Sequence, residues 1–373
     1  MSPATKAAQV AAALGAFRFQ GPVVAVDPLS GGHIHRNLLV RSAGARYVLQ
    51  AINTAVFPDP ETLLSNVERV TDHLQAHGRT TLALVETIGG RRSWRAADGS
   101  VWRAFHYLEG TEALASPRSP SDAFEAGRLF GDYRLALADL PGPPLTPTIE
   151  RFHDLDHRRR ALDAVVRADP VGRRVHVRRE LDRTRRLGQQ VAEAVAECCP
   201  TAARRTVHND AKLANVRFEA GSSRALCVVD LDTTMAGLVH YDVGELVRSA
   251  ATHAPEDATD TTTIDLDLEL VGAVAEGYLS GAVDLDPPEI EGLALAGPLM
   301  TIENATRFLA DHLAGDRYFA VAHPAHNLDR CRSQLRLTEL MLESSVETVA
   351  LFARAARPRP AGGPEASTTG GSR

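Results

Sequence analysis

Apolar positions change their spacing once along this chain, near residue 110. Before that point the pattern is that of strands. "VVAVDPLS" (residues 23–30) is a β-branched run broken by Gly31 and Gly32. "HRNLLV" (35–40) and "YVLQAIN" (47–53) follow, parted by the turn "SAGAR", and together they predict an antiparallel meander. "TLALVETI" (81–88) and "VWRAFHYL" (101–108) predict two more strands around the turn "RAADGS". One helix interrupts them. In residues 57–78, Asp59 is placed as an N-cap and Pro60 as the first helical residue. Leu63, Val67, Val70 and Leu74 recur at helical spacing, and Gly78 stops the run.

After residue 110 the spacing becomes helical. Residues 121–140 place Ser121 as a cap and Leu129, Tyr133 and Leu137 on one face. Residues 177–199 form a long amphipathic helix whose arginines alternate with acids, the pattern of a solvated face. Two short strands, 204–208 and 225–230, interrupt the helices, with 216–218 between them; 266–281 and 297–316 are helical again. The expected plan is α+β and bilobal. Residues 1–107 form a small antiparallel β-sheet lobe, 108–357 a larger, mainly helical lobe, and 358–373, rich in Pro, Gly, Ser and Thr, a disordered tail.

Composition narrows the function classes. The chain has 373 residues and 44% hydrophobic content, enough for a substantial core. A net charge of −6 argues against nucleic acid as a partner, because phosphate backbones demand a basic face. No signal peptide and no membrane span are expected, since no 18-residue apolar stretch exists. Cys198, Cys199, Cys227 and Cys331 lack metal-ligand spacing and are read as reduced, in a cytoplasmic monomer or homodimer. Of 41 basic residues only Lys6 and Lys212 are lysines, so Lys212 stands out.

Lys212 lies in the one stretch dense in chemistry. His208-x-Asp210-x-Lys212-x-x-Asn215 sits on a tight loop after a strand, and the apolar run "ALCVVD" delivers Asp230, with Asp232 two residues on. Phosphoryl transfer from ATP needs such a set. Asp210 is the candidate base or hydroxyl-orienting group and Lys212 the cation near the γ-phosphate. Asn215 and Asp230 are candidate Mg²⁺ ligands, a hard cation that favours oxygen. Asp232 is a second metal-facing acid or a structural acceptor. His208 orients backbone or assists the chemistry, and Asp242 is expected to fix the loop. The link "FHYLEG" (105–110) is read as a hinge meeting an adenine ring, with Phe105 and Tyr107 as its aromatic members.

His-x-Asp-x4-Asn followed by an apolar strand ending in Asp resembles the aminoglycoside phosphotransferase and choline kinase group, of protein-kinase-like fold. "VLQAINTAVFPDPETLLSNVERVTDHL", "VHNDAKLANV", "LCVVDLDTTMAGLVHYDVGE" and "RFLADHLAGDRYFAVAHPAHNLDRCRSQ" resemble the bacterial N-acetylhexosamine 1-kinases more closely. That resemblance implies ATP, Mg²⁺ and phosphorylation of an amino sugar at its anomeric hydroxyl. The kinase lysine of the third strand is absent; Gln50 takes its place, and Gly31, Gly32, His33 and Arg36 are candidates to share the phosphate grip. For the acceptor, Glu303, Arg307 and Asp311 fall on one helical face and Tyr318 follows; Asn327 and Arg330 are weaker candidates. A cyclitol, aminoglycoside or other alcohol as acceptor, and a non-catalytic binding module, stay open.

Overall fold

The computed structural model describes residues 3–29, 34–199, 202–281 and 284–357. The expected tail at 358–373 lies outside these residues, as do Gly31, Gly32 and His33. Val40, Tyr47, Leu49 and Ala104 are buried from alternate positions of their strands. The strands are β1 (Val23–Pro28), β2 (Arg36–Ser42), β3 (Arg46–Ala51), β4 (Trp94–Arg95) and β5 (Val101–His106). They form one antiparallel sheet in the order β1-β2-β3-β5-β4.

Two helices serve this sheet, one more than the pattern predicts. Helix α1 (Pro3–Ala16) contributes Ala13 to the core beneath β2 and β3. Its sequence is rich in alanine, a strong helix former with little apolar contrast, which hides it from a periodicity test. Helix α2 (Pro60–Ala76) starts as expected: the Asp59 side chain accepts from the Thr62 N–H, and Gly78 follows at φ 65°. The expected strand at 81–88 makes only isolated bridges, Phe17 with Thr87 and Leu84 with Phe105. The apolar face of α2 joins a core that also holds Phe130, Leu213 and Val243, so α2 ties the sheet to the helical part.

The rest is helical around two small sheets. In chain order come β6 (Thr111–Glu112), α3 (Pro120–Ala136), α4 (Leu155–Ala168), α5 (Arg178–Cys198), β7 (Arg205–Val207), β8 (Val216–Glu219), β9 (Ala225–Val228) and β10 (Met235–Gly237). Then follow α6 (Val239–Ala250), α7 (Leu268–Gly281), α8 (Pro287–Gly292), α9 (Ala296–Ala314), α10 (His326–Glu343) and α11 (Ser345–Ala355). β10 pairs with β7, and β8 lies between β6 and β9. Ser119, not Ser121, stands at the N-cap position of α3, without a side-chain cap bond, because Pro120 takes the first helical position. All four cysteines are free thiols. Among the described residues no helix is long and apolar enough to cross a membrane.

Candidate active site

The loop between β7 and β8 is held from beneath. The Asp242 carboxylate, fully buried at the start of α6, accepts from the His208 N–H at 3.0 Å and the Asn209 N–H at 2.7 Å. Asn209 adopts φ 65°, a conformation in which Asn is several-fold enriched. Its amide nitrogen donates to the Val207, Thr233 and Met235 carbonyls, knotting the loop to β7 and β10. Asn209 escapes sequence reasoning, because its role is conformational and its spacing marks no chemistry.

Of the two readings of His208, backbone orienter and catalytic group, the geometry gives the first, a loop anchor. Its ring is buried, donating from Nε2 to the Val229 carbonyl at 3.0 Å and accepting the Asp210 N–H on Nδ1 at 3.2 Å. Both nitrogens are used, and burial pushes its pKa down, so the ring is a neutral link between the loop and β9. Asp242 fixes the loop as expected.

Asp210, Lys212 and Asn215 come together. Lys212 Nζ donates to Asp210 Oδ2 at 2.8 Å, and Asn215 Nδ2 reaches the same oxygen at 3.1 Å and the Asp210 carbonyl at 2.8 Å. Burial opposes the Asp210 charge, but Lys212 outweighs it and lowers the carboxyl pKa. Burial opposes the Lys212 charge too, and Asp210 and Asp230 outweigh it and raise the ammonium. Asp230 ends the run from β9 at φ 62° and ψ 57°. Desolvation, then Asp232 and Asp210, pushes its carboxyl above the usual range. The Asp230 carboxylate and the Asn215 amide offer the hard oxygens that a divalent cation favours.

Of the two readings of Asp232, metal-facing acid and structural acceptor, the geometry gives the second: it is the centre of a buried clasp between the sheet and the turn that follows Asp230, and it is withdrawn as a metal ligand. Its carboxylate and the Arg103 guanidinium from β5 are each 2% exposed. They meet twice, at 2.7 Å and 2.6 Å. His35 Nε2 donates to the same carboxylate at 2.5 Å; its Nδ1 accepts the Asn53 N–H, which fixes that tautomer. Burial opposes the Asp232 charge, and Arg103 and His35 drive its pKa well below the ordinary carboxylate range. Gln50 belongs to the same network, accepting from Arg103 Nε at 2.8 Å and donating to Asn37 at 3.0 Å. Both ends of the Gln50 amide are therefore engaged within the sheet. Arg36 stands exposed at the start of β2. Phe105 is buried with Arg103 over its ring, whereas Tyr107 is half-buried with Arg46 stacked on it at 4.3 Å. Arg103 and His35, like Asn209, are residues that sequence reasoning missed, since neither lies in a recognisable spacing.

On α9, Arg307 sits among aromatic rings, 5.3 Å from Phe152, 5.7 Å from Tyr318 and 5.4 Å from Phe319. Arg307 and Tyr318, both candidates for the acceptor, are thus brought together. Asp311 does not join them. Its oxygens accept from the backbone N–H groups of Arg317, Tyr318 and Phe319 and from Asn327, so it shapes the loop that carries Tyr318. Glu303 turns to His153 at 2.9 Å, whose other nitrogen meets the Asn209 carbonyl at 2.5 Å. A half-open chamber of about 660 Å³ lies there, lined by Phe152, His153, Asn209, Met235, Tyr241 and Glu303 among others. Asn304 bridges the Arg307 turn to Glu245 of α6, whose charge acts on Lys212.

Similar architectures are known. A structure of a microcompartment-associated aminopropanol kinase matches with a TM-score of 0.62 at 18% identity, covering 92% of this chain and 98% of that one. An amicoumacin kinase, solved with AMP-PNP, Ca²⁺ and Ami, matches at 0.60 and 14% identity, over 90% of this chain and 96% of that one. Choline kinase from Cryptosporidium parvum Iowa II matches at 0.54 and 13% identity, over 89% and 93%. These likenesses share the bilobal kinase-like fold. A family model described as phosphotransferase enzyme family matches residues 25–288, which span the sheet, the Asp210 loop, the Asp230 turn and α6. The chain belongs to the phosphotransferase enzyme family, whose model is named APH.

Proposed function

We propose that this chain is an ATP-dependent small-molecule kinase that phosphorylates a hydroxyl, the anomeric one, of an N-acetylhexosamine-like sugar. The observation that carries the reading is the convergence of Lys212 and Asn215 on one oxygen of Asp210, beside Asp230. Asp210, held ionised by Lys212, orients the acceptor hydroxyl and receives its proton. Lys212 offsets the charge of the transferred group. Asn215 and Asp230 hold Mg²⁺, which supplies charge neutralisation along the phosphates when bound. Positioning and electrostatics supply most of the acceleration, because the phosphoryl transition state is loose. The amicoumacin kinase structure, with its nucleotide analogue and divalent cation, supports the donor half of this reading. The nucleotide lies between the lobes, which divide near Tyr107, in a cytoplasmic protein.

Arg307, caged by aromatic rings, is the candidate to meet an acyl oxygen or hydroxyls of the sugar, with Tyr318 alongside. Cationic acceptors need an acidic cleft, and the acids of the 256–269 segment are largely committed elsewhere. Glu256 pairs with Arg248, Asp257 with His326 and Asp265 with His253. Asp260 and Asp267 accept from backbone N–H groups of their own segment. This supports an acceptor with carbonyl or hydroxyl character over an aminoglycoside or choline. Phosphorus NMR of reactions with Mg-ATP and a panel of hexosamines, hexoses, cyclitols and amino alcohols tests the reading. An anomeric phosphate doublet supports it. A C6 phosphate, or transfer only to a cationic alcohol, replaces the acceptor half, and nucleotide binding with no transfer to any acceptor replaces the whole with a binding module.

A further inference from the structure

Far along α2 from its capped start, two imidazoles and a carboxylate meet outside the site described above. His73 is in the last turn of α2, His77 caps its end, and Asp139 follows α3. One donor atom of each lies within 4.8 Å of the others. The two rings are 4.4 Å apart between centroids, the one-turn spacing that places residues i and i+4 on one helix face. His77 Nδ1 donates to the His73 carbonyl at 2.8 Å, which leaves its Nε2 as the nitrogen with a free lone pair. A ring hydrogen bond of this kind orients metal-ligating histidines. His73 Nε2 points at Asp139 Oδ1, 3.1 Å away, and at the Ala136 carbonyl, 2.8 Å away.

We propose that His73, His77 and Asp139 form a binding site for a divalent transition metal of the zinc class, with solvent in the fourth position. The ligand chemistry selects the ion: two neutral imidazoles and one carboxylate suit Zn²⁺, Co²⁺ or Ni²⁺ and not Mg²⁺ or Ca²⁺, which take mainly oxygen. On binding, the ion takes the place of the His73 Nε2 proton, which passes to Nδ1 or to water, and it bridges that nitrogen to Asp139. Metal–ligand bonds of about 2.0–2.2 Å require the donors to close up. His77 is exposed but oriented by its bond to the His73 carbonyl and His73 is buried, so the exposed Asp139 carboxylate and the His77 ring are the groups that must shift. The rest of α2 already lies along the segment that carries Asp139. Arg69 donates to the Pro141 and Pro143 carbonyls at 2.8 and 2.7 Å, and Asn66 to the Thr146 carbonyl at 2.7 Å. Bound metal would pin the end of α2, the helix that also packs on the 231–233 turn, to the α3–α4 connection. Its effect is a structural staple, independent of the phosphoryl-transfer reading.

The test uses the full chain, with any affinity tag removed, stripped with EDTA and held in excess Mg²⁺. Co²⁺ titrated into it is expected to give one saturable equivalent with four-coordinate visible bands, and Zn²⁺ is expected to raise the melting temperature. His77→Gln and Asp139→Asn each remove an exposed ligand and should melt like the wild type without metal. Each should weaken Co²⁺ binding at least as much as loss of an outer-shell partner does, about 10–100-fold, and abolish the Zn²⁺ shift. No saturable equivalent, or one whose affinity both substitutions leave unchanged, overturns the site.

Discussion

Arg103→Met should destabilise the protein more than most single substitutions of an arginine. The guanidinium is 2% exposed and makes two contacts with a carboxylate that is equally buried. Methionine fills much of the same volume, so the loss is electrostatic and not a cavity. Asp232 would keep only His35 as a donor, and an uncompensated buried charge costs about 3–5 kcal/mol. Asp232→Asn alone should also destabilise, because it strands Arg103. The double variant Arg103→Met/Asp232→Asn removes both charges and should be more stable than the sum of the singles predicts, with a coupling of about 0.5–3 kcal/mol. Urea unfolding followed by tryptophan fluorescence is the assay, and Trp102, buried next to Arg103 in the chain, is a local probe. A stability within about 1 kcal/mol of wild type for Arg103→Met, or strict additivity in the double variant, would refute the claim that a buried clasp joins the sheet to the Asp230 turn.

Three further outcomes follow from the same geometry. Burial opposes the His153 charge, but Glu303 outweighs it and raises its pKa; the stability it adds is therefore full below the free imidazole value near 6.5 and is lost as pH rises through the folded value. The stability difference between wild type and His153→Gln should shrink from pH 6 towards alkaline pH, and a difference that grows would contradict the assignment. Gly237→Ala puts a Cβ against Asn209 Oδ1 and Val207 Cγ2, which should cost about 1–3 kcal/mol and lower kcat by moving the Asp210 loop, as thermal melts and initial rates would report. Asp59→Ala removes the cap of α2 and should lower the melting temperature with kcat unchanged.

The sequence made some of this legible and hid the rest for physical reasons. Strong periodicity with the Asp59 cap and Pro60 placed the start of α2 to the residue, and the spacing of Asp210, Lys212 and Asn215 anticipated their meeting. Helix α1 stayed hidden because alanine carries propensity without amphipathic contrast. The 81–88 run has the apolar content of a strand, yet only bridges form, because strand pairing is decided by neighbours that local sequence does not specify. Sequence left Asp232 open between a metal-facing acid and a structural acceptor because its partner, Arg103, is 129 residues away and sits on a strand whose first five residues are all buried. Asp311 shared a helical face with Arg307, but the loop of residues 317–319 folds back onto its carboxylate. Spacing reveals local constellations; long-range ion pairs appear only in three dimensions.

Transfer of labelled γ-phosphate from Mg-ATP to an acceptor panel, run on wild type and on Asp210→Asn, is the most direct trial. Wild type should yield ADP and a phosphorylated sugar in equal amounts, while Asp210→Asn should bind ATP normally and turn over about 10²–10⁴-fold more slowly. Undiminished transfer by Asp210→Asn would place the reacting group elsewhere and contradict the account.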